Sequence, residues 1–410
     1  MKQNFIKSSA ILFVGSMIGN AGAYFFHLAL GRILVPAEYA MLGALLSVYL
    51  IMSTPLSALQ FTMAKLTATF DNDCDKISAL YHRTTKYINF FGLATFVVFL
   101  ISSVFFVDYF HLDGYLGIVI LSFSLLFLFH LAWNRGLMQG MFAFSDLSLS
   151  LIIEGVAKLL LGVAIGYYLH LANFTIASIT LSLLTAFLIT IFYIRTNIKP
   201  VTVKKIDLKL SKKHIINESL RMFVGTIGIL FFISIDVLMA NKYLNSYDAG
   251  LYTALSTLGK IVYFAPFSIA MAMFPFTSQI TNRNKRIALT KNALLMVIAI
   301  VGIAVVMYFS FPGLIFSILF GTNFHNPGIL LGLVGLAIGI IGIVQLLVNY
   351  LLSQKGWGFA FTLLISAVSQ VVIYTNFHQD LSTFVSATLM SAMLMLILVS
   401  ISFWQEISEK

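Results

Sequence analysis

The sequence predicts an all-α polytopic membrane protein with twelve transmembrane helices in two six-helix lobes. Three observations support this prediction. Hydrophobic residues make up 60% of the 410 residues and charged residues only 10%. The mean hydropathy is +0.96. Most Lys and Arg residues fall in alternate loops between long apolar stretches. Soluble domains do not have this composition.

A transmembrane helix needs about 20 mainly apolar residues to cross roughly 30 Å of hydrocarbon. Twelve segments meet this requirement: 8–30, 41–63, 87–107, 115–133, 147–169, 173–194, 219–240, 250–273, 291–311, 327–352, 358–376 and 382–404. The first is too long for a cleaved signal peptide and lacks a cleavage site, so we expect it to remain as a helix. The connections are short, which leaves little chain for a soluble domain.

The positive charges predict the orientation, because short cytoplasmic loops retain Lys and Arg. One side of the predicted topology holds 21 of the 25 Lys and Arg residues: Lys2, Lys7, Lys65, Lys76, Arg83, Lys86, Arg135, Arg195, Lys199, Lys204, Lys205, Lys209, Lys212, Lys213, Arg221, Arg283, Lys285, Arg286, Lys291, Lys355 and Lys410. The other side holds Arg32 and Lys242, while Lys158 and Lys260 lie within predicted helices. Both termini are therefore predicted to be cytoplasmic. The net charge of +10 indicates orientation and attraction to anionic lipids, not nucleic-acid binding.

A basic segment at 195–218 divides the chain into two halves, 1–194 and 219–410, with six predicted spans each. Its sequence is typical of an interfacial, partly helical cytoplasmic linker. We therefore expect an amino-terminal lobe, a basic linker and a carboxy-terminal lobe.

The two halves also resemble each other at an offset of 210 residues. The tripeptide FVG at 13–15 recurs at 223–225, and PAEYAMLGALLSV (36–48) aligns with SYDAGLYTALSTL (246–258). Copies separated by six spans have the same orientation, so they form a parallel repeat. Such an architecture is typical of two-lobed alternating-access carriers.

With one residue inserted in the second copy, two prolines occupy matching places in the repeat, Pro55 in the second span and Pro266 in the eighth. Proline removes a backbone donor and bends a helix. Such a bend either improves packing as a static feature or acts as a hinge for movement of the lobes, and the sequence leaves both interpretations open.

Four segments resemble the polysaccharide-transporter branch of the multidrug/oligosaccharidyl-lipid/polysaccharide exporter superfamily. They are GRILVPAEYAMLGALLSVYLIMSTPLSALQF (31–61), NRGLMQGMFAFSDLSLSLIIEGVAKLLLGV (134–163), DVLMANKYLNSYDAGLYTALSTLGKIVYFAPFSIAMAMFP (236–275) and FPGLIFSILFGTNFHNPGILL (311–331). The fourth resembles the turn on the periplasmic side before the tenth helix.

This resemblance implies a V-shaped pair of bundles around a central cavity. It also implies a flippase that moves undecaprenyl-pyrophosphate-linked oligosaccharide to the outer leaflet, as O-antigen, capsule and exopolysaccharide repeat-unit flippases do. The expected location is a bacterial inner membrane. Expected partners are the lipid-linked substrate, membrane lipids and polysaccharide polymerase or assembly machinery. No cofactor is expected, although transport could be coupled to H⁺, Na⁺ or the membrane potential. The alternative within the superfamily is a cation-coupled multidrug exporter.

Four charged residues lie inside predicted spans, where each costs several kcal/mol unless it is paired or hydrated: Glu154, Lys158, Asp236 and Lys260. One interpretation is structural, with salt bridges between Glu154 and Lys158, four residues apart on one helix, and between Asp236 and Lys260 on adjacent helices. The other is functional: the two lysines bind the pyrophosphate, and Glu154 or Asp236 binds a coupling ion.

Arginines near helix ends could extend the cationic path. Arg32 and Arg221 are assigned to it, since guanidinium groups bind phosphate with paired hydrogen bonds. For Arg32, snorkelling to the membrane interface is the alternative. Arg135 is interpreted as a topological anchor.

Enzymatic function has little support. The sequence shows no zinc-ligand spacing and no glycine-rich phosphate loop, so we expect no catalytic residues and no metal site. A polytopic glycosyltransferase, ligase or polymerase remains an alternative, but it would need a sizeable outer loop. A channel or a structural scaffold is a third class, which the predicted repeat disfavours.

Overall fold

The structure of the protein is a computed structural model. This structure describes residues 2–68, 70, 73–110, 112, 114–198, 228–229, 231–279, 282–321, 323–353 and 358–408. These residues form α-helices joined by short turns, with no β-strand among them. Nine helices in this part of the chain are long and apolar enough to cross a membrane. The prediction of an all-α polytopic membrane protein is therefore confirmed.

Seven helices lie before the basic segment. They are α1 (Lys2–Ile33), α2 (Pro36–Ala68), α3 (Cys74–Phe110), α4 (Leu116–Gly140), α5 (Phe144–Leu169), α6 (Ala172–Thr175) and α7 (Ala177–Asn197). The first five correspond to the first five predicted spans, with boundaries that agree to within one residue or extend beyond them. The sixth predicted span is divided between the single turn of α6 and the long helix α7.

From residue 235 onward the described residues form α8 (Ile235–Tyr243), α9 (Ser246–Gln279), α10 (Arg283–Ser310), α11 (Pro312–Phe320), α12 (Ile329–Ser353), α13 (Gly358–Asn376) and α14 (Leu381–Ser408). Five of these, α9, α10 and α12 to α14, coincide with the last five predicted spans. Pro266 lies inside α9 and does not end it, and Pro55 lies inside α2 in the same way.

Two features differ from the predicted pattern. The seventh span, predicted as continuous over 219–240, is interrupted by a turn at Ile233 and Ser234 before α8 begins. Residues 219–227 of that span lie outside the described residues. In addition, the short helix α11 occupies a segment predicted as a turn; its proline at the first position favours helix initiation. Neither feature alters the positions of the long apolar segments that the sequence predicts.

The chain divides into two compact units. The first comprises Met1–Leu34 and Met52–Leu220, and the second comprises Val35–Ile51 and Arg221–Lys410. Helix α2 therefore begins in the second unit and ends in the first. Its first half bonds to α9 through the hydroxyls of Tyr39 and Thr257, 3.4 Å apart. Its second half bonds to α4, where Gln60 donates to Gln139 at 3.1 Å.

Helices pack in the same order within each unit. In the first unit α3 packs on α4, α4 on α7, and α5 on α7. In the second unit the helices at matching places in the repeat pack likewise, α10 on α12, α12 on α14, and α13 on α14. The packing order thus agrees with the parallel repeat predicted from the sequence.

Candidate functional site

The packing of α1 against α5 positions the charged residues of the first unit. A Cβ atom added at Gly155 would collide with the backbone of Gly19, and one added at Gly22 would lie 2.7 Å from the carbonyl oxygen of Gly155. Glycine therefore allows the two backbones to touch, as small residues do in other membrane helix pairs. This close approach brings the buried ring of Phe26 on α1 beside the polar residues of α5.

Arg135, which is buried, and Glu154, which is half-buried, form an ion pair between α4 and α5. The Nη2 atom of Arg135 lies 2.7 Å from Oε2 of Glu154. The same guanidinium donates to the Ser150 hydroxyl from Nε at 3.1 Å and from Nη2 at 2.9 Å, and to the Ser150 carbonyl at 3.0 Å. Arg135, interpreted from the sequence as a topological anchor, therefore also has a partner on α5, which the sequence interpretation did not include. Helix α4 continues to Gly140, which places Arg135 inside the helix and against α5.

Lys158 lies one turn further along α5 and has a different environment. Its Nζ atom lies 4.9 Å from the centroid of the Phe26 ring, a cation–π arrangement. The predicted salt bridge between Lys158 and Glu154 is not formed, because Glu154 faces Arg135 instead. Within the described part of the chain, Lys158 makes no salt bridge. The first unit therefore contains a neutralised ion pair and, beside it, a half-buried cation.

The second unit contains a buried acid. Asp236 lies in the first turn of α8, directly after the turn at Ser234, and is 2% exposed. Its Oδ2 atom accepts hydrogen bonds from the hydroxyls of Tyr252 at 3.1 Å and Ser256 at 2.8 Å, both on α9. Its Oδ1 atom has no hydrogen-bond partner among the residues that the structure describes. The predicted salt bridge between Asp236 and Lys260 is not formed.

Hydroxyl and amide groups extend this cluster. The Tyr252 and Thr388 hydroxyls lie 2.9 Å apart, and Tyr374 donates to Thr388 at 3.1 Å. Gln370 donates to the carbonyl of Phe232 at 3.0 Å, while its own side-chain oxygen is buried and has no partner in the described part of the chain. The buried acid is thus surrounded by neutral polar groups from α9, α13 and α14. Nothing in the sequence distinguished Tyr252, Ser256 or Thr388, because hydroxyl residues are common in membrane helices.

Pro266 lies where α9 packs against α12. A Cβ atom at Gly342 would lie 2.7 Å from Cγ of the proline ring, so glycine is required for this close contact. One turn earlier on α9, the Tyr263 hydroxyl donates to Gln345 at 2.7 Å, and Gln345 donates to Asn349 at 2.9 Å. A chain of buried side-chain hydrogen bonds between α9 and α12 therefore lies next to Pro266.

The sequence profile of a family described as polysaccharide biosynthesis protein matches residues 5–281. This match covers more than half of the chain. The chain belongs to the polysaccharide biosynthesis protein family. The resemblance noted from the sequence is thereby confirmed. No curated protein sequence matches the chain significantly.

Solved structures show the fold of this family member. An inward-facing multidrug resistance MATE family transporter of the MOP superfamily matches with a TM-score of 0.75 and 14% identity, over 98% of both chains. The lipid II flippase MurJ, in an inward closed conformation, matches with a TM-score of 0.69 and 13% identity over 97% of this chain and 87% of the other. A MOP superfamily transporter from Pyrococcus furiosus matches with a TM-score of 0.64 and 14% identity, over 97% and 96%.

The remaining predicted site residues of this polysaccharide biosynthesis family member are dispersed. Arg32 is exposed in the last turn of α1, and Lys260 is half-buried in α9. Arg221 lies outside the described residues. Within those residues, no group of three or more His, Cys, Asp or Glu side chains could hold a metal ion. In the first unit, the structure pairs Arg135 with Glu154 and places the ammonium group of Lys158 over the ring of Phe26.

Proposed function

We propose that this protein is a flippase that moves undecaprenyl-pyrophosphate-linked oligosaccharide from the cytoplasmic to the outer leaflet by alternating access, for cell-surface polysaccharide assembly. The family match to polysaccharide biosynthesis proteins supports this proposal, as does the fold shared with a lipid II flippase. The relatives of known fold are transporters and a flippase, not enzymes. The observation that carries the proposal is the environment of Lys158.

Lys158 carries a positive charge that the described residues do not neutralise by a salt bridge. The nearby carboxylate of Glu154 is already bound by Arg135 at 2.7 Å. An uncompensated ammonium group within a membrane is costly, and an anionic ligand would remove that cost while gaining a strong interaction in a medium of low dielectric. A pyrophosphate fits this requirement. Lys260, also without a salt bridge among the described residues, is proposed as a further phosphate-binding residue, as are Arg32 and Arg221 near the helix ends.

Asp236 is proposed as the coupling residue. A buried carboxylate with hydroxyl partners alone retains a large desolvation cost, and binding of H⁺ or Na⁺ would remove it. The break in helical structure at Ser234 supports this assignment, since interrupted helices commonly border ion sites in transporters. The membrane potential contributes about 2.3 kcal/mol per charge per 100 mV, so it is a third driving force in this proposal. Glu154 is less suited to coupling because Arg135 occupies it.

Pro55 and Pro266 are proposed as hinges. Helix α2 passes from the second compact unit to the first at residues 51 and 52, one turn before Pro55. Movement of the units would therefore have to be accommodated within α2. The location that accompanies this function is a bacterial inner membrane, with both termini cytoplasmic and with polysaccharide polymerase or assembly machinery as a partner.

A multidrug exporter is the second candidate, favoured by the fold shared with a MATE transporter. Such a protein would carry organic cations, for which the uncompensated ammonium group of Lys158 is unfavourable. The substrate charge therefore distinguishes the two functions.

The test is leaflet transfer in proteoliposomes. A fluorescent undecaprenyl-pyrophosphate oligosaccharide and a cationic dye are assayed in parallel with the wild type, Lys158→Met and Lys158→Arg. We expect glycan transfer by the wild type, its loss in Lys158→Met, and partial retention in Lys158→Arg, which keeps the charge. Dye transfer without glycan transfer would contradict the flippase function and support the exporter.

A further inference from the structure

Helix α3 is longer than a membrane is thick. Its 37 residues, Cys74–Phe110, extend about 55 Å at 1.5 Å per residue, against about 30 Å of hydrocarbon. The span predicted at 87–107 occupies the hydrocarbon. The preceding turns, residues 74–86, therefore project into the head-group layer and beyond it, on the side assigned to the cytoplasm.

One face of α3 carries exposed apolar side chains along the hydrocarbon. Phe90 is 66% exposed, Ile101 is 72% exposed, and Leu93 and Val97 between them are also exposed. Their spacing of three or four residues places them on one face of the helix. We call these four residues the α3 stripe. Its length matches that of a lipid acyl chain lying along the helix.

Two cations continue this face towards the cytoplasmic end. Arg83 and Lys86 precede Phe90 by seven and four residues, so they share its face, and both are exposed. Tyr87, also exposed, lies between them and the stripe, at the depth where tyrosine is enriched in membrane proteins. The Nζ atom of Lys86 lies 5.0 Å from the centroid of the Tyr87 ring. Arg83 lies about 10 Å below Phe90 along the helix, the depth of a lipid phosphate.

These cations lack the acidic partner that a neighbouring lysine has. Lys76, also exposed on α3, lies 2.7 Å from the carboxylate of Asp73, and this contact lowers the pKa of Asp73 below its usual value. Neither Arg83 nor Lys86 forms a salt bridge with a described residue.

Helix α4 offers no carboxylate to this part of α3 in the contacts seen. Asn134 of α4 accepts a hydrogen bond from the Tyr81 hydroxyl at 3.0 Å, and His130 of α4 lies 2.5 Å from the Asn89 side chain. Neither of these two α4 side chains carries a negative charge. Arg83 and Lys86 therefore carry positive charge that no described carboxylate neutralises, and they lie at the predicted cytoplasmic end of the α3 stripe.

We propose that Arg83, Lys86, Tyr87 and the α3 stripe bind an anionic phospholipid of the cytoplasmic leaflet. The phosphate lies between the guanidinium and the ammonium group, with an acyl chain along the stripe. Arginine grips phosphate with paired hydrogen bonds and lysine adds a point charge. This surface is independent of the proposed flippase function, and its test requires no transport.

Native mass spectrometry of the purified full chain measures the bound lipid directly. Phosphatidylglycerol and phosphatidylcholine of equal chain length are titrated at matched concentrations. We expect retention of phosphatidylglycerol by the wild type and about thirtyfold weaker binding by Arg83→Ala/Lys86→Ala. That fold-change corresponds to about 1 kcal/mol per cation, at 1.4 kcal/mol per factor of ten.

Lys76→Ala is the matched control, because it removes an exposed lysine of the same helix that already has a partner. It is expected to bind phosphatidylglycerol as the wild type does. The swapped variant Arg83→Lys/Lys86→Arg keeps both charges and is expected to restore binding, which separates charge loss from misfolding. Equal binding of phosphatidylcholine, undiminished binding by the double alanine variant, or equal weakening by Lys76→Ala would overturn the proposal. So would binding of undecaprenyl pyrophosphate at this surface with no binding of phosphatidylglycerol.

Discussion

In the first unit the half-buried carboxylate of Glu154 lies 2.7 Å from the guanidinium of Arg135, whereas in the second unit the buried carboxylate of Asp236 receives hydrogen bonds from two hydroxyls. At the repeat offset of 210 residues, Asp236 corresponds to Phe26, the aromatic partner of Lys158. Matching places in the repeat therefore hold an acid in one unit and the neighbour of a cation in the other. We propose that the two residues have different roles, with Lys158 of the first unit binding the anion and Asp236 of the second unit binding the coupling cation.

The ion pair of the first unit predicts the largest effect. Arg135→Met should lower the free energy of unfolding by about 3 kcal/mol, because it removes the salt-bridge partner of Glu154 within the membrane-spanning region. Unfolding in mixed detergent micelles measures this change. Lys76→Met, which removes an exposed cation of the same unit, is the control and should change stability by less than about 1 kcal/mol.

The double variant Arg135→Met/Glu154→Gln sharpens that result. Removing both charges leaves neither member of this pair without its partner, so stability should return to within about 2 kcal/mol of the wild type. A double variant as unstable as Arg135→Met alone would show that packing, not charge, determines the loss.

Asp236→Asn tests the other side of the comparison. The amide oxygen can still accept hydrogen bonds from Tyr252 and Ser256, and no buried cation is left behind. Stability should therefore stay within about 1 kcal/mol of the wild type, while Glu154→Gln, which leaves Arg135 unpaired, should cost about 3 kcal/mol. The same unfolding assay applies to both. Equal losses would contradict the distinction between the two acids.

Ser256→Ala should have a smaller effect. It removes the 2.8 Å hydrogen bond to Asp236, and the loss of one donor to a buried acid costs about 1–3 kcal/mol. Ser391→Ala on α14, whose hydroxyl bonds only its own helix at Thr388, is the control and should cost less. An unchanged stability in Ser256→Ala would show that this hydroxyl does not support the acid.

The helices were predictable because apolar length is a local property of the sequence. The charged residues inside the spans were also predictable, since an ionisable residue within a membrane-spanning helix is recognised directly from the sequence. Their hydrogen-bond and salt-bridge partners were not predictable. Glu154 and Lys158 share a helix face, but only the packing of α4 against α5 shows that Arg135 reaches Glu154 first.

Two other features depend on tertiary structure in the same way. The turn at Ser234 lies within an apolar stretch with no proline or glycine between Phe231 and Asp236, so no local signal marks it. Helix α11 has apolar residues all round, and the burial of Phe316 and Phe320 on one side distinguishes it from a loop.

The most direct test is leaflet transfer of the lipid-linked oligosaccharide in proteoliposomes under imposed proton and sodium gradients, with the wild type, Lys158→Met and Asp236→Asn. We predict that one gradient accelerates transfer by the wild type, that Lys158→Met transfers no glycan under any gradient, and that Asp236→Asn transfers glycan at a rate independent of both gradients. Gradient-driven transfer by Lys158→Met, or a retained gradient response in Asp236→Asn, would contradict the assignment of anion binding to the first unit and coupling to the second.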